Sequence, residues 1–155
     1  MGPSAFSYDD SLWPLLIVRL EGAMTDALLT EFLDHGHATL LRHERYVSLF
    51  DMSQLLLPSA EQRQRQILWA REHEALMRTY TLGSAFVITS PFVRTMLNLF
   101  FHFAPTPAPY VVVPSLLSGV QWALARLEQE GLHAHAERVR HLYLAPPPEP
   151  PPSSP

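Results

Sequence analysis

The chain contains no cysteine and no lysine. Without thiols there can be no disulfide framework, no thiolate metal site and no cysteine nucleophile, and their absence fits a reducing compartment. Without lysine, all positive charge rests on 11 arginines set against 15 acidic residues, a formal charge of −4. The basic surplus that a nucleic-acid partner demands is therefore missing. Only six glycines occur, scattered singly, which leaves no glycine-rich loop to cradle a phosphate. No serine stands in a Gly-x-Ser-x-Gly elbow, since Gly83-Ser84 lacks the second glycine. The most apolar stretch, 92–104, is interrupted by Arg94, Asn98 and His102 and falls short of the roughly 20 apolar residues a membrane span needs. The first apolar run follows Asp9 and Asp10 rather than a basic start, so no secretory signal is read and the expected address is cytoplasmic.

What is present describes an ordinary domain. With 155 residues, 47% of them apolar, a single core can bury roughly 70% of the unfolded chain's surface without disulfide or metal. Of the 15 prolines, seven fall in 146–155. Proline fixes φ and donates no hydrogen bond, so 1–144 is expected as one domain and 145–155 as a disordered, extended tail. Such a tail is either inert or a docking peptide for an aromatic groove.

Strand and helix patterns alternate before the tail. Residues 5–9 and the near-continuous apolar run 12–20 read as a hairpin turning at Asp10-Ser11, its second strand buried on both faces. Thr25 caps a helix to about Arg42, with Asp26 in its first turn. A strand over 46–52 is followed by one long helix, 60–80, expected to bury Ile67, Leu68, Ala75, Leu76 and Tyr80. A buried strand over 83–89 leads to Ser90-Pro91, a capping hydroxyl followed by proline at the first helical position. That helix reaches Phe103, where the prolines at 105–109 forbid its continuation. A last strand, 110–113, a helix from Ser115 to near Gly131 and a short helix over 133–143 complete the domain. The order ββαβαβαβα forces an α/β fold: a mainly parallel sheet with an N-terminal antiparallel edge strand, helices packed on it and right-handed crossovers.

This order, with Leu16-Ile17-Val18-Arg19-Leu20-Glu21-Gly22 ending in glycine and Val47-Ser48-Leu49-Phe50-Asp51-Met52 as the central strand, resembles the STAS fold. The later strands Ala85-Phe86-Val87-Ile88-Thr89-Ser90 and Tyr110-Val111-Val112-Val113 extend the likeness over 5–130. Within that fold the chain is most similar to the SpoIIAA-like branch of small bacterial proteins. The resemblance implies a non-catalytic protein-interaction module in signalling or scaffolding, with no cofactor. In antagonists of that family a serine at the turn after the central strand is phosphorylated, which by position makes Ser59 the candidate phospho-acceptor. Here Pro58 replaces the acidic residue, and Ala60-Glu61 replaces Ser-Gly. The resemblance further implies a partner-binding surface over Leu57, Pro58, Ser59, Gln62, Arg63 and Gln66.

The residues themselves offer Ser59 a second job, because Gln62 three positions on completes a capping box. Eight histidines invite a metal site, but His35/His37 and His133/His135 are spaced two apart, a rotation of about 200° on a helix. His73-Glu74 lacks the second histidine of a zincin. Neither metal ligands nor catalytic residues are assigned. The helix over 92–103 is apolar nearly all round, where an outer helix should be amphipathic. Three readings stand: burial beneath the prolines and the last helix, an exposed patch that makes a homodimer through Phe92, Met96, Leu99, Phe100 and Phe103, or a wall of an apolar ligand pocket. In the ligand reading, Phe92, Met96, Phe100 and Trp122 line a site for a small apolar molecule or lipid.

Overall fold

Side chains alternate across a strand, and the run Leu15–Leu20 shows what that does in this chain. Leu15 and Ile17 enter one apolar cluster, while Leu16, Val18 and Leu20 enter another on the opposite face. A computed structural model describes residues 5–104 and 106–144; the proline-rich stretch 145–155 lies outside the described residues. Strands β1 (Ala5–Leu12), β2 (Leu15–Gly22), β3 (Tyr46–Leu55), β4 (Thr81–Val87) and β5 (Tyr110–Val113) form one sheet in the order β1-β2-β3-β4-β5. β1 runs antiparallel to β2 and every later pair is parallel, as a chain whose later strands are joined by helices requires. The hairpin turns at Trp13-Pro14, which are joined by a cis peptide bond, rather than at Asp10-Ser11. β1 thereby runs on to Leu12, with an irregular register between Asp9 and Leu12.

The helices divide between the faces. On one lie α1 (Asp26–Leu40), α2 (Ala60–Glu72), α3 (Glu74–Tyr80) and α4 (Pro91–Phe103); on the other lie α5 (Leu116–Gln129) and α6 (His133–Leu144). Their starts follow local chemistry. Thr25, Ser59, Ser90 and Ser115 each accept a hydrogen bond from the backbone N–H three residues on, satisfying a donor that the helix leaves unpaired.

The helix expected over 60–80 is two. His73 stands between them at φ −105° and ψ 9°, and its Nδ1 lies 2.7 Å from the carbonyl of Trp69, which also accepts the His73 backbone N–H at 3.0 Å. Leu68 and Ala75 are exposed rather than buried, and Gln62 is the buried residue of α2. Similarly, β4 begins at Thr81 and ends at Val87, two residues earlier than 83–89, because α3 passes directly into it.

The α5–α6 face is tightly closed. Leu49, Val120, Ala123, Leu127, Ala136 and Val139 are fully buried there. Gly119 lets α5 settle on Leu49, and Gly83 lets Trp122 lie against β4, where an added Cβ would come within 2.6 Å of the indole.

Candidate functional site

The opposite face is not closed. Between the sheet, α1, α2 and α4 lies a cavity of about 620 Å³, walled mainly by apolar side chains. Its floor is the face of the sheet carrying Val18, Phe50 and Phe86; its sides come from Phe32 and Gly36 of α1 and from α2; its cover is α4, through Val93, Met96, Leu97 and Phe100. Not one residue of α4 is buried.

Bulky rings explain why this face stays open. Phe50 and Phe86 stack flat along the floor with centroids 5.2 Å apart, and Phe101 of α4 leans on Tyr110 at 4.4 Å and on Phe86 at 5.4 Å. These contacts hold the C-terminal turn of α4 to the edge strand. Arg71 adds a bond from its Nη2 to the carbonyl of Phe103 at 3.3 Å. At its other end α4 is held by the Ser90 cap. With its C-terminal turn propped on these large side chains, the middle of the helix stands off the sheet.

Polar groups on the floor are already paired. Ser48 and Ser84 hydroxyls lie 2.8 Å apart, Tyr8 and Thr39 hydroxyls 2.7 Å apart, and Thr81 donates to the Tyr46 phenol at 3.1 Å. Burial pushes the Tyr46 phenol up, opposed by that hydrogen bond. Charged groups gather toward α2 and α3: Arg63, Arg71 and Glu74 all border the cavity, and Glu74 pairs with Arg78.

The residues expected to meet a partner fall on this same structure. Leu57, Pro58, Arg63 and Gln66 border the cavity. Gln62 does not belong to an accessible surface: it is buried, and its Nε2 donates to the carbonyl of Met24 at 2.6 Å and to Asp26 at 3.0 Å. Ser59 is exposed and completes the capping box, accepting from the Gln62 N–H at 3.1 Å while its own N–H donates to Gln62 Oε1 at 2.9 Å.

The apolar helix divides. Met96 and Phe100 line the cavity, whereas Phe92, Leu99 and Phe103 are 64%, 48% and 55% exposed; burial beneath the last helix is overturned, since α6 packs on the other face. Trp122 is likewise not a pocket residue, because it lies against Gly83 across the sheet. Phe92 points away from the space it was expected to line. Phe6, Tyr8, Phe32 and Phe50, which do line it, were missed; for Phe6 and Tyr8 of β1 and Tyr46 and Phe50 of β3, the signal was their even-numbered spacing, which puts the aromatic side chains of each strand on one face. Asp51 lies within β3 and accepts from the Ser53 N–H and hydroxyl at 3.1 and 2.7 Å.

This architecture is the SpoIIAA-like fold. A protein of the DUF3478 family with a SpoIIAA-like fold, from Shewanella loihica, superposes with a TM-score of 0.61 at 12% identity, covering 79% of this chain and 97% of that one. An anti-sigma factor antagonist from Mycobacterium paratuberculosis superposes with a TM-score of 0.50 at 10% identity, covering 78% and 94%. No family model matches the sequence, and no curated protein matches it significantly. Among the described residues, no helix is long and apolar enough to cross a membrane.

Proposed function

We propose that the protein is a non-catalytic binder of a small apolar molecule or acyl chain, held between the sheet and α4. The observation that carries this reading is the apolar cavity of about 620 Å³, within the range of roughly 300–1,000 Å³ of ligand sites. Left to solvent, it would hold on the order of twenty waters against walls that offer them few partners. An apolar occupant releases that water and covers Val93, Met96 and Phe100, which the protein alone leaves half-buried. The hydroxyls that face the space bond to one another, which leaves the lining predominantly apolar toward an occupant.

Fluorescence titration with N-phenylnaphthylamine, together with native mass spectrometry for co-purifying lipid, tests the reading. Saturable binding by the wild type, weakened by Met96→Trp, is expected. A protein that neither enhances the probe's fluorescence nor carries a ligand overturns it.

The outer edge of α4 supports a second reading, a protein-interaction module that self-associates. Phe92, Leu99 and Phe103 stay exposed on one helix, and the scaffold is one that an anti-sigma factor antagonist also uses. A bacterial signalling role and a phosphate on Ser59 belong to this reading. Sedimentation at micromolar concentration separates the outcomes: a dimer that Phe92→Ser dissociates supports it, and a monomer rules self-association out.

A further inference from the structure

The arginines of this chain differ in what neutralises them. Arg19, Arg42, Arg78, Arg126 and Arg140 each have a carboxylate partner within 4.0 Å. Arg63 and Arg71, which border the cavity, form no ion pair among the described residues. Arg71 is exposed and bonds to the end of α4. Arg63 is half-buried, and its Nη1 donates to the Pro58 carbonyl at 3.1 Å, which fixes the guanidinium while leaving most of its five N–H donors unused. Gln66, one turn further along α2, borders the same space.

The two cations are eight residues apart on one helix, about 12 Å at 1.5 Å per residue. As they stand, Arg63 turns back to the Pro58 carbonyl and Arg71 to that of Phe103, so the two do not converge on one point. Glu74, the acidic group at the cavity, lies on α3 beyond Arg71 and is already paired with Arg78. The Arg63 end thus presents a positive charge, partly shielded from water, at the edge of an apolar space. A planar fork of N–H donors matches a carboxylate in particular.

We propose that the cavity takes a single-chain amphiphile with a carboxylate head, a fatty acid, its head on Arg63 and its chain beneath α4. The inference rests on the apolar-ligand reading above and adds the chemistry of the head.

Competition against bound N-phenylnaphthylamine tests it, with palmitic acid, hexadecanol and lysophosphatidic acid as competitors at one pH above the acid's titration. Palmitic acid is expected to displace the probe at a concentration about tenfold or more below hexadecanol, the scale of a charge-assisted hydrogen bond. Arg63→Gln should abolish that preference. Arg65→Gln should keep it, because Arg65 turns toward Thr30 of α1, to which it donates at 2.9 Å. Equal displacement by acid and alcohol in the wild type overturns the carboxylate head while leaving the apolar site standing. Stronger displacement by the lysophosphatidic acid than by palmitic acid overturns it in favour of a phosphate head. Absence of probe binding overturns the apolar site and this inference with it. The wild-type comparison decides the matter even where Arg63→Gln fails to fold.

Discussion

The α5–α6 face of the sheet and the α1–α4 face are built from similarly apolar strands, yet they close differently. Against α5 the sheet offers Val47, Leu49, Ala85 and Val87, and the helix answers with Gly119, Val120, Ala123 and Leu127. Small residues at the point of approach let the backbones come close, and medium aliphatic chains fill what remains. Against α4 the sheet offers Phe50 and Phe86, and the helix answers with Met96, Phe100 and Phe101. Large side chains on both sides act as spacers. Apolar content decides which surfaces face inward; the sizes of opposed side chains decide whether they meet.

Truncation should expose the contrast most strongly. Leu127→Ala removes a fully buried side chain whose surroundings cannot collapse, and is expected to cost about 2–5 kcal/mol. Phe100→Ala takes more atoms from a half-buried position bordering a space that already exists. It creates little new cavity and should cost about 1 kcal/mol. Urea unfolding of both variants without added ligand measures the difference; equal losses would mean that α4 is packed as tightly as α5.

Enlarging a side chain inverts the experiment. An alanine at Gly119 would drive its methyl into Leu49, itself fully buried, so Gly119→Ala is expected to destabilise by about 1–3 kcal/mol. Val93→Leu, pointing into the cavity, adds a methylene to open space and should leave the unfolding midpoint unchanged or raise it.

The depth of the floor beneath α3 can be read by titration. Burial raises the Tyr46 phenol above its ordinary 10.0, so the folded protein keeps this proton after the unfolded chain has begun to lose it. The stabilisation is complete below pH 10, and it is lost as pH rises through the folded value. Unfolding free energy followed above pH 10 should therefore fall, and fall less steeply in Tyr46→Phe.

Much of this arrangement was legible in the sequence, for local reasons. Ser59, Ser90 and Ser115 announce helices because a hydroxyl before a helical run satisfies a backbone donor wherever the helix sits. The run Leu15–Val18 announces a strand buried on both faces because neither set of alternate residues has a polar side to give to solvent. The unusual helix 92–103 was identified, but which of its residues face the sheet was not. Phe92 and Phe100 have the same hydrophobicity, and only the crossover and the grip of Phe101 on Tyr110 set the helix's rotation. Trp122 was placed on the wrong side for a related reason: its seat is Gly83, far away in sequence, and no local signal links them. The break at His73 carries neither glycine nor proline. The His73 ring meets His37 of α1 at 2.9 Å, a contact that exists only once α1 and α2 are packed.

A small effect is also expected at Ser59, where the cap and the resemblance-based switch make different demands. As a cap, its hydroxyl accepts from the Gln62 N–H, and Ser59→Ala should cost about 1 kcal/mol. Aspartate caps as well as serine, so Ser59→Asp should restore most of that stability. The loop it closes carries Leu57 and Pro58 to the cavity edge, and α2 carries Arg63 beside them. A residue that only caps would leave palmitic acid affinity unchanged in Ser59→Asp. A switch would not, because the added negative charge lies four residues from Arg63 and would compete for its guanidinium. Stability that recovers in Ser59→Asp while palmitic acid loses affinity would therefore tie the turn to the hollow face of the sheet. Recovery of both would leave Ser59 with its structural role alone.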